Sequence, residues 1–182
     1  MHSPAARPAT VRRTIPRPVA TVFLCWLAMV GVDFFLHAGL LAPLYDWGSP
    51  FLLTPGEAFV RIPLGYVGFL VLAVALLWLL PRLEVEGGRD GGIIAGGIGA
   101  VAWGAFLLGL WSISTVRPAL LAGWWIGQTV ELGLGGLIIG SALSGAGLRP
   151  MLWRVGALLV VGGISAVLLQ TVGYATAPVL TP

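Results

Sequence analysis

Four polar side chains lie well inside the apolar segments of this chain, where ionisable groups are costly. Asp33 and His37 are four residues apart in the first apolar segment, and Gln128 and Glu131 are three apart in a later one. Residues at these spacings share one face of a helix, so each pair points in one direction. A charged carboxylate at the centre of a membrane helix costs roughly 2.5–3.5 kcal/mol. These four residues are therefore the candidates for chemistry.

Two carboxyl groups and an imidazole together could share a proton or hold a cation or a small polar ligand. Two carboxylates cannot both ionise cheaply in a low dielectric, so we expect a shared proton or neutralisation by His37 as imidazolium. The same groups could instead be a hydrogen-bonded clamp between two helices. His37 could also ligate the metal of a haem or chlorophyll, although a second histidine ligand is missing from the apolar segments. No cofactor and no metal site are predicted.

The composition identifies lipid as the solvent of the chain. Of its 182 residues, 58% are hydrophobic and 9% charged, with a mean hydropathy of +0.97, whereas soluble domains carry about 25% charged residues. The net charge of +3 comes from arginines in loops and in one tail, which does not indicate a nucleic-acid partner. A single cysteine and the lack of an HExxH motif make an intramembrane enzyme the least favoured class, and no catalytic residue is predicted.

The hydrophobic segments predict an all-α polytopic bundle of five transmembrane helices. Their expected bounds are about 21–41, 55–80, 91–112, 121–143 and 151–172, each close to the roughly 20 residues that cross a bilayer. Residues 1–17 are rich in proline and arginine and are predicted to be a disordered cytoplasmic tail. The bundle would occupy residues 18–175, and residues 176–182 would form a short C-terminal tail.

Arginine placement predicts a cytoplasmic N-terminus and an external C-terminus in the inner (plasma) membrane. The inner side would hold Arg7, Arg12, Arg13, Arg17, Arg82, Arg89, Arg149 and Arg154, and the outer side only Arg61 and Arg117. At 1.5 Å per residue, Asp33 lies about 18 Å from the inner end of the first span and Glu131 about 15 Å from the outer end of the fourth. Both therefore fall in the outer half of the bilayer, and the two spans are expected to pack together.

Small residues at four-residue spacing predict close helix contacts. One stripe consists of Gly92, Gly96, Ala100 and Gly104. A second consists of Gly127 and Gly135, which flank Glu131 and should turn it into the bundle. These contacts could form within the chain, in a homo-oligomer or with another protein of a membrane complex. The lipid bilayer is the other predicted partner of the chain.

Two motifs resemble those of a family of uncharacterised bacterial multi-pass membrane proteins. The first contains Asp33, His37, Leu40, Leu41 and Tyr45, and the second contains Trp124, Gly127, Glu131, Gly136 and Gly140. The members of that family have four spans, so the fifth span and the arginine-rich tail depart from its pattern. The resemblance implies a shared polar cluster and supplies no activity.

Two functions therefore compete at this point. The chain could bind or conduct a proton, cation or small polar ligand at the polar cluster, and conduction through so thin a bundle would need an oligomer. Alternatively it could be a non-catalytic structural or accessory subunit, whose glycine stripes are partner faces. A pigment- or haem-binding subunit is a less favoured form of this accessory-subunit hypothesis.

Overall fold

Five long helices make up the fold. The computed structural model describes residues 15, 17–45 and 50–175, and every regular element in those ranges is helical. The long helices are α1 (Pro18–Phe35), α2 (Pro55–Leu79), α3 (Gly88–Ile113), α4 (Pro118–Leu143) and α5 (Leu148–Thr171). A π-helical turn, Leu36–Leu40, extends α1, and 3₁₀ turns follow at Ala42–Leu44 and Leu80–Leu83. Each long helix is apolar and long enough to cross a membrane, which confirms the five-span prediction. Apart from Ile15 and Arg17, the predicted tails at 1–17 and 176–182 lie outside the described residues.

Local sequence signals explain where the helices begin. Thr54 caps α2 in a capping box, since its hydroxyl accepts from the backbone of Glu57 while that carboxylate accepts from the Thr54 N–H. Pro118 opens α4, at a position where the missing N–H costs nothing. α3 begins at Gly88, three residues before its predicted start, so Asp90 lies within the first helical turn.

α4 is the central helix of the bundle. In an apolar 18-residue stretch of each long helix, 61% of the α4 stretch is buried, compared with 44% of the α1 stretch and 17% of each of the other three. α4 contacts α3 on one face and α1 on another, while α5 packs on α1. It also has the lowest hydropathy of the five, 1.3 against 2.0–2.3. A helix enclosed by protein can carry polar side chains that a lipid-facing helix cannot, which makes α4 the helix that can hold Glu131.

Glycines bring the backbones of α3 and α4 into direct contact. A methyl group placed on Gly91 would collide with the carbonyl oxygen of Gly136, and one placed on Gly136 would collide with that of Gly91. The predicted stripe lies beside this seam. Methyl groups on Gly92 and Gly96 would meet Gly133 at 3.3 Å and 3.5 Å. The small residues of α3 therefore make a contact within the chain. The closest approach to α4 is at Gly91, the residue next to Gly92 of the predicted stripe.

Candidate functional site

Three of the predicted polar residues meet where α1 and α4 pack together. Asp33 lies in the last turn of α1, His37 in the π-helical turn and Glu131 near the middle of α4. Nε2 of His37 is 3.6 Å from Oδ1 of Asp33 and 3.8 Å from Oε1 of Glu131. One oxygen or nitrogen from each residue lies within 4.8 Å of the others. We refer to Asp33, His37 and Glu131 as the Asp–His–Glu cluster.

The cluster is enclosed on one side and partly open on the other. The Glu131 side chain has no exposed surface, whereas the side chains of His37 and Asp33 are 18% and 19% exposed. Glu131 therefore lies on the enclosed side of the cluster, and Asp33 and His37 lie on the partly exposed side.

Glu131 is the unusual member of the cluster. Within the part of the chain that the structure describes, neither of its carboxylate oxygens has a hydrogen-bond partner. Its 3.8 Å separation from His37 is longer than a hydrogen bond, which spans about 2.7–3.2 Å for nitrogen and oxygen. Enclosing an unpaired carboxylate costs several kcal/mol. The three groups thus surround a small space and do not bond to one another across it.

Two glycines of α4 allow this close approach to α1. A methyl group on Gly127 would lie 3.2 Å from Nε2 of His37 and 3.5 Å from Oε1 of Glu131. Two helical turns further on, a methyl group on Gly135 would lie 3.1 Å from the sulfur atoms of Cys25 and Met29. Both glycines of the second predicted stripe therefore lie in the α1–α4 contact, and they leave room for the carboxylate between them.

A tyrosine and a tryptophan hold the imidazole ring from its other edge. The hydroxyl oxygen of Tyr45 lies 2.5 Å from Nδ1 of His37. The indole N–H of Trp124 donates to the same hydroxyl oxygen at 3.0 Å. Burial raises the pKa of Tyr45 to about 12, so its hydroxyl is protonated near neutral pH. Nδ1 of His37 thus faces Tyr45 while Nε2 faces the two carboxyls. The only sequence signal for Tyr45 and Trp124 was their place in the resemblance motifs.

The π-helical turn positions His37, and α5 supports that turn. A π turn weakens the regular backbone hydrogen bonding of a helix, and such turns are frequent at functional sites. Inside a membrane the backbone groups that it frees need other partners. Gln170 donates to the carbonyl of Ala38 at 2.9 Å, and Tyr174 donates to that of Leu40 at 3.2 Å. Gln170 is a polar residue in an apolar span, which is the signal that marks it in the sequence.

Gln128, the fourth predicted residue, lies on α4 three residues before Glu131. Its backbone carbonyl lies 3.4 Å from the position of a methyl group on Gly99, so this part of α4 faces α3. Its side-chain oxygen is buried without a hydrogen-bond partner. Among the described residues no hydrogen bond or ion pair joins Gln128 to the cluster, which therefore consists of three residues.

Comparisons with known proteins found no relative in which the cluster could be compared. No protein-family model, curated protein or solved structure matches the chain. The resemblance to a bacterial membrane family consequently stays a prediction. Two carboxyls and one imidazole around a shared space can bind a proton or a metal ion.

Proposed function

We propose that the protein binds a small cation, either a proton or a metal ion, at the Asp–His–Glu cluster within the membrane. The single observation that supports this function best is the enclosed Glu131 carboxylate, which has no hydrogen-bond partner among the described residues. A bound cation would compensate its negative charge, which burial otherwise makes costly.

A purely structural clamp explains the same geometry less well. Polar residues join membrane helices by hydrogen bonds across the interface. The distances of His37 to Asp33 and Glu131 are 3.6 Å and 3.8 Å, outside the hydrogen-bond range. The contact between α1 and α4 also has an apolar basis, since Gly135 packs against Cys25 and Met29. The carboxyl groups of Asp33 and Glu131 are therefore not needed to hold the two helices together.

The membrane setting belongs to the same proposal. With the N-terminus in the cytoplasm of a bacterium, α1 runs outward and the cluster lies in the outer half of the inner membrane. Cations would then reach it from the outer side, past the partly exposed side chains of Asp33 and His37.

Infrared difference spectroscopy tests cation binding directly. The full chain is reconstituted in lipid nanodiscs, and spectra are compared across a pH series and with and without added Zn²⁺. We expect carboxyl bands that change with the cation and that disappear in part in Glu131→Gln and in Asp33→Asn. Glu57→Gln is the matched control, because Glu57 is exposed and lies at the start of α2.

If the cluster is only a clamp, the carboxyl bands of Asp33 and Glu131 should not change with the cation. Asn and Gln keep hydrogen-bonding groups of the same size, so both variants would then fold like the wild type. Wild-type spectra without any cation-dependent band from Asp33 or Glu131 would disprove the proposed function.

A further inference from the structure

We propose that the Asp–His–Glu cluster coordinates a divalent first-row transition-metal ion such as Zn²⁺, through Oδ1 of Asp33, Nε2 of His37 and Oε1 of Glu131. This inference rests on the proposed cation-binding function and names the class of cation. It is carried by two observations. Three ligand atoms of the right kinds surround one space, and the fully enclosed, unpartnered carboxylate of Glu131 points into that space.

The separations of the three atoms suit a central ion. Zinc lies about 2.0–2.2 Å from imidazole nitrogen and carboxylate oxygen, so its ligand atoms are roughly 3–4 Å from one another. In the cluster, Nε2 of His37 is 3.6 Å from the Asp33 oxygen and 3.8 Å from the Glu131 oxygen. The two oxygens lie within 4.8 Å of each other. A small inward movement of the carboxyls is enough to complete the three contacts.

Charge and donor type select the class of ion. Two carboxylates and a neutral imidazole carry a charge of −2, which a divalent ion neutralises and a monovalent ion does not. Neutrality matters here because an uncompensated charge is expensive inside a membrane. Imidazole is a ligand for zinc, iron, copper and nickel, whereas magnesium and calcium take oxygen ligands. The donor set therefore favours a transition metal over Mg²⁺ or Ca²⁺.

Tyr45 supplies the outer contact that histidine ligands of metals commonly have. To bind a metal through Nε2, neutral His37 must carry its proton on Nδ1, and the Tyr45 oxygen at 2.5 Å is placed to accept it. A second hydrogen bond of this kind fixes the tautomer and orientation of a metal-bound imidazole. Trp124 in turn holds the Tyr45 hydroxyl. Tyr45 is thus a positioning residue for the metal site.

Cobalt spectroscopy on the full chain tests the assignment. The protein is purified in detergent with an affinity tag that contains no histidine, freed of metal with a chelator, and titrated with Co²⁺. We expect visible Co²⁺ ligand-field bands that saturate at one ion per chain, that Zn²⁺ abolishes by competition, and that excess Mg²⁺ leaves in place. His37→Gln should lose the bands. His2→Gln, which removes the other histidine of the chain, and Glu57→Gln should keep them.

Tyr45→Phe distinguishes loss of the metal site from a general folding defect. This variant should still bind one Co²⁺ ion per chain, with an affinity lowered about 10- to 100-fold, as is usual when a hydrogen-bond partner of a metal ligand is removed. Should His37→Gln fail to fold, the wild-type stoichiometry, the Zn²⁺ competition and the Tyr45→Phe affinity decide the question.

The outcomes distinguish this inference from the proposed function on which it rests. Folded wild type that shows no Co²⁺ band and no Zn²⁺ binding, or a band that survives His37→Gln, would overturn the metal site. If the infrared carboxyl bands then still respond to pH, proton binding stands and only the metal is wrong. Infrared carboxyl bands that respond to neither pH nor metal would disprove both the metal site and the proposed cation-binding function.

Discussion

A single glycine determines how the imidazole ring and the carboxylate share the space between α1 and α4. A methyl group on Gly127 would press on Nε2 of His37 at 3.2 Å, a distance at which the ring has to move. We therefore expect Gly127→Ala to lower the cation affinity of the cluster by about tenfold, equivalent to about 1.4 kcal/mol, while the helices remain paired. Binding is measured by the Co²⁺ titration.

Gly133→Ala is the control for this prediction, because Gly133 lies on the same helix and a methyl group there meets α3 at an ordinary 3.5 Å. An equal loss of affinity in both variants would mean that any added volume on α4 is disruptive and that Gly127 has no special role beside His37.

At this scale the apolar context identifies the ionisable residues of the cluster, whereas the residues that orient them stand out only in the resemblance motifs. Asp33, His37 and Glu131 are conspicuous because ionisable groups are rare in apolar spans. Tyr45 and Trp124 are not, since aromatic residues near helix ends are typical of every membrane interface. Their contact with His37 depends on a π-helical turn, and no periodicity in the sequence marks that turn. That Gln128 lies close to the other three residues stays a prediction, since its buried side-chain oxygen has no hydrogen-bond partner among the described residues.

At the scale of helices, the α3–α4 seam is the element contact that depends most on small residues. A methyl group on Gly91 would meet the carbonyl oxygen of Gly136 and lie 3.1 Å from Cα of Gly140, and backbone cannot move aside as a side chain can. Gly91→Ala should therefore lower the free energy of unfolding by about 1–3 kcal/mol, the usual cost of overpacking. Thermal denaturation in detergent measures it.

Gly97→Ala provides the matched variant on the same helix, because nothing lies within 4 Å of its added methyl group. Alanine favours a helix over glycine by about 1 kcal/mol, so this variant should be as stable as the wild type or more so. Equal destabilisation by both substitutions would show that α3 tolerates no change and that the seam is not the reason.

The prediction of the α3 stripe was one residue away from the closest contact for a geometric reason. Neighbouring residues point about 100° apart on a helix with 3.6 residues per turn, and small residues occupy both positions here, so spacing alone does not select the face that makes the closest contact. Gly92 and Gly96 thus lie beside the seam while Gly91 lies in it. Helix bounds were shifted for a different reason. Hydropathy identifies the apolar stretch and not the first helical turn, as the early start of α3 at Gly88 illustrates.

For the whole molecule, five spans place the start of α1 and the end of α5 on opposite sides of the membrane. The described connections between helices lie at two ends of the bundle. Arg117, at the start of α4, donates to the carbonyl of Leu44 after α1 at 3.0 Å, so these two connections share one end. Gly88 at the start of α3 packs on Ser141 near the end of α4, at the other end. The arginine bias then supplies the direction.

The arginine split of eight to two predicts that the end containing Arg117 faces outward and that the C-terminus does too. Reporter fusions after Pro182 should therefore be active when the reporter works only in the periplasm and silent when it fluoresces only in the cytoplasm. Fusions after Ala146, in the loop between α4 and α5, should show the reverse pattern and serve as the internal control. This arrangement places the Asp–His–Glu cluster nearer the outer surface. Fluorescence after Pro182 together with periplasmic activity after Ala146 would invert the bundle, and cations would then have to reach the cluster from the cytoplasm.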